Sequence, residues 1–125
     1  MKCIISGRVI RGNGHGKKIG FPTINLDRRN FLRLKNKPAF GVYAGTVKFL
    51  DKVDLTTRGR IRAGIVIGPL DAKRRPKIEA HLIGFDKDVY GRQAVLELTK
   101  FIRKFKKFKT KKELIEQIVK DLKKC

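Results

Sequence analysis

The sequence predicts a mainly β protein, a small antiparallel β-barrel followed by one C-terminal α-helix. Short runs rich in Val, Ile and Phe recur between residues 3 and 103, separated by turn residues such as Gly, Asp, Asn and Pro. These runs give about five or six strands with short connections. Helical periodicity is confined to the final segment, residues 110–124. The length of 125 residues gives room for one domain with a modest core.

The composition is strongly basic. The formal net charge is +21, from 32 Lys and Arg against 11 Asp and Glu, which favours polyanionic partners such as nucleotides, nucleic acid or an acidic membrane surface. Cys3 and Cys125 lie at opposite ends, and no cluster of Cys and His suggests a zinc site or a disulfide framework. No apolar run is long enough for a signal peptide or a membrane span. We therefore expect a cytoplasmic monomer with no membrane partner.

The first predicted strand, residues 3–11, leads into a glycine-rich stretch. Gly12, Gly14 and Gly16 alternate with other residues, so the backbone can adopt φ > 0 repeatedly and turn several N–H groups toward one anion. Lys17 follows at once and adds a positive charge for a phosphate. The spacing is neither the P-loop, which needs Ser or Thr directly after its Gly-Lys pair, nor the dinucleotide fingerprint. The stretch predicts phosphate binding, with a plain glycine-rich hairpin as the alternative.

A Pro-Thr-x-Asn segment comes next. Pro22 biases the residue before it toward an extended backbone, so Thr23 and Asn25, two positions apart, should project from the same face. A hydroxyl and an amide oxygen that converge in this way suit Mg²⁺, which keeps much of its shell as water and substrate phosphate. The segment therefore predicts a metal and nucleotide site.

These two segments together resemble the opening signature of riboflavin kinases (flavokinases). Over residues 7–25 the shared pattern reads Gly-x-Val-x-x-Gly-x-Gly-x-Gly-Lys-x-Ile-Gly-Phe-Pro-Thr-x-Asn, and the resemblance continues over nearly the whole chain. It implies a six-stranded barrel over about residues 3–103 and a helix over about residues 110–124, in a single domain of residues 1–125. Many members also carry an adenylyltransferase domain, which we do not expect here because only six residues precede Gly7.

The resemblance also implies a reaction. Riboflavin kinases transfer the γ-phosphate of ATP to the 5′-hydroxyl of riboflavin, giving FMN and ADP. The expected cofactor is Mg²⁺, or another divalent ion such as Zn²⁺ or Mn²⁺, and ATP is the expected co-substrate.

The middle of the chain predicts a surface loop and two strands. Residues 27–38 are polar and basic and indicate a loop with at most a helical turn. Residues 40–50 form a strand in which Gly41 and Gly45 indicate bends or close backbone approach. The next strand, residues 60–68, ends in a segment that keeps only the Ile-Gly pair of the family's Asn-Ile-Gly-x-x-Pro-Thr-Phe motif.

The strand over residues 77–85 carries the candidate catalytic residue. Period-two alternation divides its side chains between two faces. One face holds Ile78, Ala80 and Leu82, and the other holds Glu79, His81 and Ile83. A glutamate on a strand is ordinarily a solvated or ion-paired carboxylate. The strand resembles the family's Glu-x-His-Leu-x-x-Phe strand, however, which implies that Glu79 is the base acting on the 5′-hydroxyl and that Leu82 and Gly84 bind the flavin. His81 also matches and is equally compatible with a structural role.

The last predicted strand spans residues 92–103. Leu96 and Leu98 share one of its faces. The resemblance implies that they lie near the adenine end of the nucleotide, and a role in the barrel core is the alternative.

Residues 101–108 interleave aromatic and basic side chains. This pattern is typical of a surface for single-stranded nucleic acid, and it also suits the flat isoalloxazine ring of a flavin. The family has Leu-Arg and then Lys-x-Phe in this region, so the resemblance implies that Arg103 and Lys106 bind the flavin. Phe105 replaces the usual acidic residue.

The chain closes with a predicted helix. Thr110 as N-cap and Glu113 three residues later form a capping box. Apolar residues then follow at helical spacing, namely Leu114, Ile115, Ile118, Val119 and Leu122. We expect this stripe to pack on the barrel and to help shape the flavin pocket.

Two other functions stay open at the level of sequence. The first is a basic β-barrel that binds nucleic acid, supported by the net charge and by residues 101–108; such binding would be strongly salt-dependent and would survive Glu79→Gln. The second is a flavin or nucleotide sensor without turnover, against which the presence of Thr23, Asn25 and Glu79 argues.

Overall fold

The computed structural model describes residues 3–10, 23–50, 60–70, 73–84, 89–104 and 109–124. Within these residues the chain forms β1 (Cys3–Ile10), β2 (Thr23–Leu26), α1 (Arg29–Leu32), β3 (Gly41–Phe49), β4 (Ile61–Leu70), β5 (Pro76–Leu82), β6 (Gln93–Arg103) and α2 (Lys111–Lys123). The strands close into a barrel in the order β1-β2-β5-β4-β3-β6, with neighbouring strands antiparallel. The predicted six-stranded antiparallel barrel with a C-terminal helix is confirmed.

Aliphatic side chains that alternate along the strands fill the barrel interior. Because successive side chains of a strand point to opposite sides of the sheet, one set from each strand turns inward. The most completely buried of them are Ile5, Val9, Val47, Ile65, Ile67, Ile78 and Leu96. Burying a side chain of this size stabilises a fold by about 1.5–3 kcal/mol. The other set faces outward, where polar side chains can be placed without disturbing the core.

The segment predicted as a surface loop with a helical turn contains α1. Phe31 of this helix is 1% exposed and packs into the core. The Asp27 carboxylate accepts the backbone N–H of Arg29 at 2.8 Å and a guanidinium N–H of the same residue at 2.8 Å. Hydrogen bonds from Arg29 hold the pKa of Asp27 at about 2. Local polar contacts therefore start the helix, and one aromatic ring fastens it to the barrel.

Strand bounds differ slightly from the predicted ones. β4 continues to Leu70, because this residue still pairs with the first residue of β5. β5 ends at Leu82, so Ile83 belongs to a bend and not to the strand. In β3, a Cβ on Gly45 would collide with the carbonyl oxygen of Glu97 on β6, which confirms the predicted close backbone approach at this glycine.

The start of α2 uses the predicted cap with one change. Thr110 is the N-cap, and its hydroxyl accepts the backbone N–H of Glu113 at 3.2 Å. The Glu113 carboxylate accepts the N–H of Lys109 at 3.2 Å, one residue before the position that the capping box predicts. The helix start is therefore hydrogen-bonded in both directions.

The buried face of α2 is rotated from the predicted stripe. Ile118 is buried as expected, but the prediction that Val119 packs on the barrel is wrong, since it is 38% exposed. Asp121, three residues after Ile118 and so on the same helix face, is 4% exposed instead. Its burial is possible because an arginine pairs with it, as described below. In the part of the chain that the structure describes, neither helix combines the length and apolarity needed to cross a membrane.

Candidate functional site

The pairing of β2 with β5 brings two predicted site segments together. In the antiparallel register Thr23 lies opposite His81, and Asn25 lies opposite Glu79. Residues directly opposite each other in such a pair have Cβ atoms about 4.5–5.5 Å apart. We call these four residues the β2–β5 face. All four are partly exposed, whereas the alternating residues Ile24 and Ala80 are buried, so the β2–β5 face lies on the outer wall of the barrel.

A side-chain hydrogen bond crosses the β2–β5 face. It joins Oγ1 of Thr23 to Nδ1 of His81 at 3.1 Å. Burial lowers the pKa of His81, although the negative charges of Glu79 and Asp121 act to raise it. Burial therefore favours the neutral imidazole, and its hydrogen bond holds the Thr23 hydroxyl against β5.

Glu79 lies at the centre of the wall formed by three strands. Asn25 of β2 is opposite it on one side, and Val66 of β4 is opposite it on the other. Among the residues that the structure describes, no Lys or Arg forms a salt bridge with Glu79. A half-buried carboxylate that is not tied to a cation is suited to accept a proton from a bound hydroxyl.

The donor set next to Glu79 fits a hard divalent cation that is shared with a substrate. Thr23 and Asn25 offer neutral oxygens on one partly exposed face. Within the described ranges, no group of three or more His, Cys, Asp or Glu side chains forms a self-sufficient metal cage. Such a partial set matches Mg²⁺, which is bound by few protein oxygens together with water and phosphate.

The glycine-rich stretch, with Gly12, Gly14, Gly16 and Lys17, lies outside the described residues. The residues that flank it are described: β1 ends with Ile10, which pairs with Asn25 of β2. The connection between β1 and β2 thus leaves and rejoins the barrel beside the β2–β5 face. This is the position that a phosphate-binding loop would need, and the phosphate role stays a prediction.

The predicted flavin-side residues occupy different environments. Leu82 is 7% exposed and belongs to the core, whereas Gly84 is exposed after the end of β5, at φ +72°, with open space where a side chain would stand. Arg103 is the last residue of β6, and Lys106 lies outside the described residues. Leu82 and Gly84 therefore bracket the end of β5, two residues apart, with only Gly84 at the surface.

Arg103 makes a contact that the sequence did not reveal. Its Nε donates to both carboxylate oxygens of Asp121 at 3.1 Å, and its Nη2 donates at 2.8 Å. Gln117, one helical turn before Asp121, donates to the same carboxylate at 2.9 Å. The available signal was an acidic residue at helical spacing from Ile118 in a very basic chain. The apolar stripe that predicts the buried face of α2 does not include a charged residue, so it does not predict the burial of Asp121.

Leu96 and Leu98 are 0% and 2% exposed inside the barrel. Their side chains are part of the core, which is the alternative that the sequence left open. Their predicted place near the adenine remains a prediction.

Comparisons with known proteins show the family to which the chain belongs. Residues 1–125 match the protein family described as riboflavin kinase, or Flavokinase. The chain is 38% identical over 117 residues to the bifunctional riboflavin kinase/FMN adenylyltransferase of Escherichia coli strain K12, covering 94% of this chain and 35% of the relative. It is 37% identical over 119 residues to the protein of the same name from Buchnera aphidicola subsp. Schizaphis graminum, covering 94% of this chain and 36% of the relative. The chain thus spans about a third of the length of these relatives.

Two solved structures share the fold. A crystal structure described as a macrolide-efflux protein from Streptococcus pneumoniae superposes with a TM-score of 0.79 at 28% identity, over 96% of this chain and 37% of that chain. Riboflavin kinase from Trypanosoma brucei superposes with a TM-score of 0.67 at 20% identity, over 98% of this chain and 73% of that chain. At that identity the second likeness supports the fold alone.

Proposed function

Since the chain belongs to the riboflavin kinase family, we propose that it transfers the γ-phosphate of ATP to the 5′-hydroxyl of riboflavin, giving FMN and ADP. The observation that carries this proposal is the β2–β5 register, which places Thr23, Asn25 and Glu79 on one outer face. Phosphoryl transfer needs positioned reactants and neutralised phosphate charge more than covalent chemistry by the protein. The β2–β5 face offers groups for both needs.

Glu79 accepts the proton of the riboflavin 5′-hydroxyl in this proposal. A carboxylate opposite Asn25, on the wall that would hold the phosphate end of the nucleotide, can meet a hydroxyl that attacks the γ-phosphate. Positioned general bases contribute about 10²- to 10⁴-fold to rate. His81 supports the arrangement by holding Thr23 at 3.1 Å.

The nucleotide is held by the segment that joins β1 to β2. Gly12, Gly14 and Gly16 supply backbone N–H groups and Lys17 supplies charge for the phosphates. Thr23 and Asn25 supply oxygens for a divalent ion, Mg²⁺ in the first instance and Zn²⁺ or Mn²⁺ as alternatives. When bound, such an ion neutralises phosphate charge. Leu96 and Leu98 of β6 are the proposed residues nearest the adenine.

In this proposal the flavin contacts residues that follow β5 and residues at the end of β6. Gly84 offers an exposed backbone without a side chain after β5, near Leu82. Arg103 is the last residue of β6 and pairs with Val42 of β3, and Lys106 follows it in the sequence, so both offer positive charge to the flavin. Because one chain carries every proposed group, we expect a monomer. Because the reaction consumes ATP, we expect it to take place in the cytoplasm.

The direct test is incubation of the purified protein with riboflavin, ATP and Mg²⁺, followed by chromatographic separation of riboflavin and FMN. We expect FMN to accumulate in proportion to enzyme and to require both ATP and the divalent ion. Absence of FMN with a folded protein, after ATP is exchanged for other nucleoside triphosphates and Mg²⁺ for Mn²⁺ or Zn²⁺, would refute the proposal.

A further inference from the structure

A buried carboxylate on α2 has no role in the reaction proposed above. Asp121 is 4% exposed, and it is the one buried charged residue among those that the structure describes. Burying an ionised carboxylate is costly unless it is paired and hydrogen-bonded. Arg103 and Gln117 meet that need with N–H donors at 2.8 to 3.1 Å.

The hydrogen bonds of Arg103 fix the orientation of its guanidinium group, beyond what neutralising the charge of Asp121 requires. Nε and Nη2 of Arg103 both donate to Asp121, which is the fork arrangement that sets the plane of a guanidinium. Nη1 donates to the carbonyl oxygen of Lys104 at 3.1 Å. The Asp121 side chain is 6% exposed and that of Arg103 is 20% exposed. A partly accessible arginine is therefore held in one orientation by a nearly inaccessible partner.

The strand pairing relates the arginine to the wall that carries Glu79. Arg103 pairs with Val42 of β3, Val42 pairs with Val66 of β4, and Val66 pairs with Glu79 of β5. Arg103, and with it Asp121, is therefore level with Glu79 on the barrel, with β3 and β4 between them. A buried ion pair needed only for docking the helix could be replaced as a whole by well-packed apolar residues at little cost, so its presence here indicates a use for the orientation of Arg103.

We propose that Asp121 is a positioning residue for riboflavin, acting through Arg103. The inference rests on the proposed function, because it takes riboflavin as the ligand that Arg103 meets. Docking of α2 places Asp121, Asp121 sets the guanidinium plane, and the accessible part of Arg103 then receives the flavin without first having to be ordered. The nucleotide is held on β1, β2 and their connection, so its affinity does not depend on this pair.

The test measures equilibrium binding of riboflavin through the quenching of flavin fluorescence. Mg-ADP is present in place of Mg-ATP, so riboflavin is not phosphorylated during the measurement. Asp121→Asn keeps the shape of the side chain and removes its charge. We expect the riboflavin Kd to rise by about 10- to 100-fold, as for other losses of positioning, and the Kd of Mg-ADP to stay unchanged. Glu116→Gln is the matched control, since Glu116 is exposed on the same helix, and it should leave both constants unchanged.

A double-mutant cycle separates positioning from a purely structural role. In an Arg103→Ala background, Asp121→Asn should cause no further loss of riboflavin affinity, because its route of action is gone. This double variant also leaves no buried charge without a partner, so it remains suitable if the single variant unfolds. An equal loss in both backgrounds, or a parallel loss of riboflavin and Mg-ADP affinity with a lower Tm, would overturn the proposal. Asp121→Glu should restore part of the affinity.

The two proposals can fail separately. A wild-type protein that binds riboflavin but forms no FMN refutes the kinase activity, while the Asp121 comparison still stands or falls on the Kd values. Unchanged riboflavin affinity in Asp121→Asn, in a wild type that forms FMN, refutes the positioning role alone.

Discussion

The two sides of β5 have opposite surroundings. Ile78, Ala80 and Leu82 point inward and are 2%, 0% and 7% exposed. Glu79 and His81 point outward and are partly exposed. Because side chains alternate between the two sides of a strand, residues at alternate positions of β5 contribute to the core and the residues between them contribute to the proposed site. Substitutions one position apart should then affect different measurements.

The largest effect is expected from Glu79→Gln. Loss of the proton acceptor should lower kcat by about 10²- to 10⁴-fold, whereas the Tm and the riboflavin Kd should change little because the amide fills the same space. Glu97→Gln is the matched control, an outward-facing strand glutamate on β6 that pairs with Arg60 at 3.5 Å. FMN formation under saturating substrates measures both. Equal kcat values for the two variants would contradict the assignment of Glu79.

The inward side should respond in the opposite way. Ile78→Ala removes a side chain that is 2% exposed, and it should lower the free energy of unfolding by about 2–5 kcal/mol, with Ile78→Val costing about 0.5–1.5 kcal/mol. Activity per folded molecule should be retained in both variants. Urea unfolding and FMN formation at low temperature check the two quantities. A stable but inactive Ile78→Ala protein would contradict the prediction that the inward side of β5 affects stability and not activity.

His81 should give the outward side a pH dependence of its own. Burial lowers the pKa of folded His81 below its ordinary value of 6.5, so the unfolded chain takes up the proton first as the pH falls. The stability linked to neutral His81 is therefore fully present above pH 6.5 and is lost as the pH drops below it, at up to about 1.4 kcal/mol per pH unit. His81→Asn should remove this slope from unfolding free energies measured across that window. A slope equal to that of the wild type would show that His81 is not its source.

The smallest effect is expected outside the two sides of β5, at Asp27, which directly follows β2. Hydrogen bonds from Arg29 lower the pKa of Asp27 from 3.8 to about 2, so its stabilising contribution is present above pH 3.8 and is lost as the pH falls toward 2. Because the Arg29 side chain is 80% exposed, solvent and salt screen the pair. Asp27→Asn should lower the free energy of unfolding at neutral pH by at most about 1 kcal/mol. A larger loss that persists at high salt would argue against a screened surface pair.

Local sequence patterns predicted the features that depend on neighbouring residues, namely the alternation of side chains along a strand and the start of a helix. The division of β5 followed from alternation, and the start of α2 followed from the Thr110 cap. The partnership of β2 with β5 could not be derived in this way, because Thr23 and His81 are 58 residues apart in the chain. The resemblance to riboflavin kinases implied that Thr23, Asn25 and Glu79 serve one reaction, but it did not include the pairing of their strands.

The error on α2 has a similar physical cause. An apolar stripe predicts which helix residues can be buried, but the residues of the barrel that the helix contacts determine which face is buried. Arg103 pairs with Asp121, so Asp121 is buried and Val119 remains 38% exposed. A buried ion pair joins segments that are distant in the sequence, so the local sequence around either residue does not predict it. The roles of the glycine-rich stretch and of Lys106 stay predictions.

In the proposed reaction the Glu79 carboxylate, on the outer wall of the barrel, accepts the proton of the riboflavin hydroxyl. Chemical rescue of Glu79→Ala tests it most directly, with the initial rate of FMN formation measured as a function of formate concentration and the protein saturated with riboflavin and Mg-ATP. We expect a very low rate without formate that rises with formate concentration, while the rate of the wild type is unaffected. A Glu79→Ala protein that forms FMN at the wild-type rate without formate would contradict it.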